Sequence, residues 1–154
     1  AAYAVLKGSA VNHNGRSAVI TAPSSRAQAA LIENAHADAG VEPATIAFVE
    51  AHGTGTSLGD PIEASGLAKV FRGRSDRLVV GAVKTNVGHL EVAAGMAGLI
   101  KAIMVMQTST VPRNLHFEVL NEKLDVDGVP FVFPGEDGVD LLPTGGGAPV
   151  RGGV

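Results

Sequence analysis

The sequence contains no cysteine, few aromatic residues (4%) and no cluster of basic side chains. Without cysteine there is no disulfide, no thiolate metal ligand and no thiol nucleophile within these residues. Dispersed basic residues and a net charge of −3 give no footprint for a nucleic acid. The longest apolar run, "VAAGMAGLIKAIMVM", is interrupted by Lys101 and reads as too short to span a bilayer. No signal peptide is visible. The missing cysteine is compatible with a reducing compartment, and a cytoplasmic location is the expectation. The first residue is Ala1, which suggests a fragment or a processed chain.

What remains is rich in Ala, Gly and Val, with 45% apolar residues over 154 positions. That is enough for one well-buried domain with closely packed helices and sheets. "AYAVLKGSAV" reads as a strand and "NHNGRS" as a turn. Residues 25–39 carry Ala29, Leu31, Ile32, Ala35 and Ala39 near helical spacing, with Ser24 or Ser25 as cap and Gly40 as stop. "TIAFVEA" is a short strand. Asp60, Pro61 and Glu63 read as N-cap, first helical residue and capping-box partner of a helix running to about Phe71. "RLVVGAV" is the next strand, and residues 91–107 form a helix apolar nearly all round, hence central. "FVF" is a short strand beyond it. The tail "LLPTGGGAPVRGGV" is expected to be extended or mobile. Alternating strands and helices predict an α/β fold.

Two loops then stand out, "HGTGTSLGD" and "KTNVGH". Each follows a strand, at the carboxyl end where open α/β sheets bind ligands. In the first, His52 is followed by glycines that permit close approach of a ligand, and Thr54 and Thr56 add hydroxyls. A polar turn whose glycines merely make the bend is the alternative. In the second, Lys84, Asn86 and His89 lie between a buried strand and a buried helix, where polar groups must be paired or used. A neutral imidazole at position 89, before a helix, could donate to a developing oxyanion. It could equally be a capping or core-satisfying histidine. "GTGTSLGD" lacks the Gly-Lys-Ser/Thr ending of a phosphate-binding loop. Glu50, His52, Asp60 and His89 could converge on a metal, but no HExxH-type spacing supports one and none is assigned. His36 falls on an expected surface helix, His13 in a turn and His116 in a structural segment.

"VEAHGTGTSLGDPIEASGLAKVF" and "VGAVKTNVGHLEVAAGMAGLIKAI" closely resemble the C-terminal half of β-ketoacyl synthases of type I polyketide synthases. "GSAVNHNGRS", "TAPSSRAQ" and "VPRNLHFEVLN" match flanking segments. The resemblance implies half of a thiolase-like, layered αβαβα fold, incomplete at both ends. Residues 1–118 would be the synthase C-terminal domain and 119–154 a truncated extension. It also implies decarboxylative Claisen condensation of an acyl thioester with a malonyl-type extender. His52 and His89 match the family's catalytic histidines and Lys84 its active-site lysine. Thr54 and Thr56 match threonines that contact phosphopantetheine. Asp60 or Glu63 is expected to pair with Lys84 in a charge network.

No cofactor is bound directly on this reading, because the substrates ride on the phosphopantetheine of an acyl carrier protein. The nucleophilic cysteine is expected in the N-terminal half, before residue 1, so this chain alone would be inactive. Beyond "RGGV" the family continues into a Gly-Phe-Gly-Gly-Thr-Asn segment. The implied partners are that N-terminal half, the acyl carrier protein and a second copy in a homodimer, with no nucleic acid and no membrane. A fatty-acid or polyunsaturated-fatty-acid condensing domain, or a non-catalytic docking half-domain, are the alternatives.

Overall fold

A computed structural model describes residues 2–15, 23–124, 126, 128–141 and 149–154. Four short parallel strands form the central sheet. β1 (Phe48–Glu50) pairs with β2 (Leu78–Gly81) on one side and with β6 (Gly152–Gly153) on the other, and β4 (Phe131–Val132) pairs with the outer edge of β2. A small antiparallel ribbon joins β3 (Thr110–Val111) to β5 (Val139–Asp140).

The sheet is buried on both faces, which is why β1 and β2 are continuously apolar until their ends. Alternate residues point to opposite layers. Val49, Leu78 and Val80 pack with Leu67, Ala68 and Phe71 of α2 (Gly59–Phe71), and α1 (Ser25–Ala39) lies against α2. Phe48 and Val79 point the other way, onto Ala102 and Val105 of α4 (Ala94–Thr108). The order is helix, sheet, helix. Cutting Phe48 or Phe71 to alanine would cost about 3–5 kcal/mol, since both are enclosed.

The expected caps of α1 hold. Ser24 Oγ accepts the Ala27 N–H, and Gly40 takes the left-handed conformation at φ 61°. The start of α2 differs from the capping box. The helix begins at Gly59, and Thr56 supplies the cap-like contact by accepting the Gly59 N–H through Oγ1 at 3.0 Å. Asp60 and Glu63 turn instead to the loop before the helix.

Two further expectations need correction. Residues 2–11 form no strand: Tyr3, Val5, Leu6 and Val11 are exposed, and no ladder partner among the described residues pairs with them. The segment is anchored instead by the Ser9 N–H on Asp38 Oδ2 at 2.9 Å and by Gly8 pressed onto Ala39. α4 is not enclosed all round. Ala94, Gly98, Lys101, Ala102 and Val105 are buried, whereas Met96, Ile100 and Met104 line an exposed apolar face. The tail is extended at its end, as expected, where Gly152 and Gly153 pair in parallel with Phe48 and Val49. The rest of the tail, residues 142–148, lies outside the described residues.

The length argument against a membrane span also fails. The run Glu91–Thr108 is long and apolar enough to cross a bilayer by those measures alone. Its packing argues otherwise, since one face lies on β1 and Lys101 is paired with a strand carboxylate.

Candidate active site

The pairing of β1 with β2, in the register Glu50 opposite Gly81, puts the two histidine loops side by side. His52 stands two residues beyond β1. From β2 the chain passes through the short helix α3 (Lys84–Val87) and Gly88, at φ 75°, to His89. The imidazole centroids of His52 and His89 are 5.4 Å apart, with the rings at 84°. Gly53 permits this closeness. Its φ is +46°, and a Cβ there would lie 2.8 Å from the Ala82 side chain.

The backbone at His52 is fixed from α2. Glu63 accepts the His52 N–H at 2.6 Å through Oε1 and the Gly53 N–H at 2.9 Å through Oε2. Asp60 Oδ1 accepts the Gly55 N–H at 3.1 Å. A tight loop of this kind has N–H groups without backbone partners, and charged acceptors satisfy them strongly. This corrects the expected charge network: Lys84 pairs with neither Asp60 nor Glu63. Among the described residues the ion pair is Lys101 with Glu50, at 2.8 Å.

His89 is oriented by its own loop. Nδ1 accepts the Glu91 N–H at 3.0 Å, so Nδ1 carries no proton and the ring proton sits on Nε2. Glu91 adopts φ 52°, a left-handed value unusual for a residue with a side chain. A 3-10 turn, Glu91–Ala93, separates His89 from α4. A single peptide N–H therefore sets the ring, in place of the expected helix end. Both imidazoles are exposed and Lys84 is half-buried, so the described residues alone do not make the site dry.

Thr54 Oγ1 and Thr56 Oγ1 lie 3.4 Å apart. With His52 they line an open cavity of about 420 Å³, together with Asn14, Gln28 and Leu58. A second, mostly apolar cavity of about 250 Å³ opens behind the loop, and neither histidine lines it. No group of three or more metal-ligating side chains forms among the described residues.

Several supporting residues carry no signal in the sequence. Asn114 Oδ1 accepts the Ala82 N–H at 2.9 Å. Thr85 Oγ1 donates to the Ala82 carbonyl at 2.9 Å and accepts the Leu115 N–H at 3.1 Å. Together they staple the β2 exit to the segment after β3. Glu50 Oε1 accepts the Val83 N–H. His36, expected on the surface, is half-buried with its ring edge-on to Phe71, at 5.7 Å between centroids. Burial lowers its pKa from the usual histidine value.

The family profile described as "Beta-ketoacyl synthase, C-terminal domain" matches residues 3–118. The chain is 50% identical over 131 residues to a phenolphthiocerol/phthiocerol polyketide synthase of Mycobacterium tuberculosis, covering 85% of this chain and 8% of that protein. It is 51% identical over 132 residues to polyketide synthase PksM of Bacillus subtilis, covering 84% of this chain and 3% of that one. Among solved structures, an oxazolomycin ketosynthase domain from Streptomyces albus superposes with a TM-score of 0.86 at 40% identity, over 96% of this chain and 26% of that one. The chain thus spans a small part of each of these proteins. It belongs to the β-ketoacyl synthase family, as a C-terminal ketosynthase domain of the type I polyketide synthase kind with part of the thiolase-like fold.

Proposed function

We propose that this chain supplies the enolate-stabilising half of a ketosynthase in polyketide biosynthesis. The observation that carries the reading is the meeting of His52 and His89 at 5.4 Å, with the Nε2–H of His89 left free to donate. The relatives reported above are polyketide synthases, which favours that class over a fatty-acid condensing enzyme.

In this reading a malonyl-type thioester, carried on the phosphopantetheine of an acyl carrier protein, enters beside Thr54 and Thr56. Its carboxylate carbon–carbon bond breaks, CO2 leaves, and the electron pair becomes an enolate on the thioester. His52 and His89 donate hydrogen bonds to the oxygen that gains charge. The enolate carbon attacks an acyl group held as a cysteine thioester on another segment of the ketosynthase. The carbon–sulfur bond breaks, and the negative charge ends on the cysteine thiolate. Lys84, half-buried and free of Asp60 and Glu63, adds positive potential beside the reacting carboxylate. The exposed face of α4, with Met96, Ile100 and Met104, is where the remainder of the ketosynthase packs and excludes water.

The test uses the full-length protein that carries this chain. It is incubated with an acyl thioester and malonyl-loaded acyl carrier protein, and the carrier is analysed by mass spectrometry. The expected product is a carrier-bound β-ketoacyl chain, lost in His52→Ala. A carrier that stays malonylated while the protein takes up the acyl group would contradict the reading.

A further inference from the structure

Glu50 and Lys101 are the buried charged residues of the described chain, and the mechanism above uses neither. Their side chains meet at 2.8 Å with 2% and 9% of their surface exposed. The contact is one of charge, because Glu50 Oε2 and Lys101 Nζ make no well-aligned hydrogen bond. The surroundings are cut to admit them. A Cβ at Gly81 would lie 2.7 Å from Lys101 Nζ, and one at Gly98 would lie 3.2 Å from Glu50 Cγ. The ammonium also stands 5.8 Å from the centre of the Phe48 ring.

Burying two charges is costly and adds little net stability, so their position needs another reason. It lies at the junction of three segments. Glu50 ends β1, two residues before His52. Its Oε1 takes the N–H of Val83, which directly precedes Lys84. Lys101 projects from α4, the helix that follows His89.

We propose that Glu50, its charge balanced by Lys101, is a positioning residue that ties the Lys84–His89 loop to the end of β1. The tie sets the spacing of His52 and His89, and the proposal rests on the decarboxylative reading above.

Two double variants of the full-length protein isolate the tie. Glu50→Gln/Lys101→Met removes both charges but keeps an amide oxygen for the Val83 N–H. Glu50→Leu/Lys101→Met removes the charges and the acceptor. Two rates are read, CO2 release from malonyl-loaded carrier and acyl transfer to the protein. The Leu/Met variant should release CO2 more slowly than Gln/Met by about tenfold or more, with acyl transfer equal within about threefold. Equal CO2 release by the two, or a parallel fall in acyl transfer, overturns the proposal. Wild-type protein that takes up acyl groups yet releases no CO2 overturns the decarboxylative reading, and the proposal with it. Amide hydrogen exchange on the wild type needs no variant to fold. Val83 should be protected as strongly as the β2 amides, and fast exchange there contradicts the tie.

Discussion

The carboxylate of Glu63 holds the backbone of His52, accepting its N–H at 2.6 Å and that of Gly53 at 2.9 Å. A residue on α2 thereby fixes the direction in which the His52 loop leaves the sheet. Glu63→Ala should strand both donors and cost about 1–3 kcal/mol in denaturant unfolding. CO2 release should fall by about a hundredfold, because a small misplacement of a catalytic group is costly. Glu63→Ala that melts and turns over like wild type would show that the loop holds itself.

Lys84 and Glu63 make no ion pair, so they should act independently. In a double-mutant cycle with Lys84→Met and Glu63→Gln, the stability effects should add within about 0.5 kcal/mol. A coupling well above that would restore the charge network that the sequence suggests.

The Glu50–Lys101 pair should behave in the opposite way. Lys101→Met leaves a buried carboxylate without its counter-charge and should cost about 3–5 kcal/mol. Adding Glu50→Gln should recover most of that loss. Thermal and urea unfolding of both variants check it, and a single variant as stable as wild type would mean that Glu50 is reached by water.

His89 offers a substitution that separates fold from chemistry. An asparagine at 89 can place its oxygen where Nδ1 accepts from Glu91, while losing the donor at Nε2. His89→Asn should therefore keep wild-type stability and lose CO2 release by about 10²–10³-fold. His89→Gln, whose amide nitrogen can reach toward the Nε2 position, should retain more activity. If the two variants are equally inactive, the Nε2 donor is not what matters.

Burial against Phe71 lowers the pKa of His36 in the folded protein. Above the unfolded value, near 6.5, the ring is neutral in both states and stability is unaffected. As pH falls below that value the unfolded chain takes up the proton more readily, and stability is lost until the lowered folded pKa is passed. Melting temperature should drop on acidification from about pH 7.5 to 5.5, and less in His36→Gln. Equal drops would assign the acid sensitivity elsewhere.

The sequence discloses most where a local rule and the tertiary fold agree. Ser24 and Gly40 bracket α1 as local capping requires, and the apolar runs before His52 and Lys84 become adjacent strands. Once those strands pair in parallel, the loops that carry the two histidines leave the sheet side by side. It discloses least where the partner is distant in the chain. Lys101 looks like a break in an apolar run, and only the fold shows Glu50 beneath it. Glu63 has the spacing of a capping-box residue, but the unpaired N–H groups of the His52 loop compete for it and win. Residues 2–11 have strand-like composition, yet composition supplies no neighbour for their backbone groups. Gly152 and Gly153 have the reverse character: no strand propensity, but a free edge of β1 with which their backbone pairs.

On the proposed function, His52 and His89 act together on the oxygen of a malonyl thioester. The direct measurement is the rate of CO2 release from malonyl-loaded carrier by the full-length protein, compared with its His52→Ala and His89→Ala variants. Each variant should be slowed by about 10²–10³-fold while acyl uptake persists, and the double variant should be little worse than either single one. CO2 release that survives both substitutions would place the decarboxylating group elsewhere and rule out the paired-histidine mechanism.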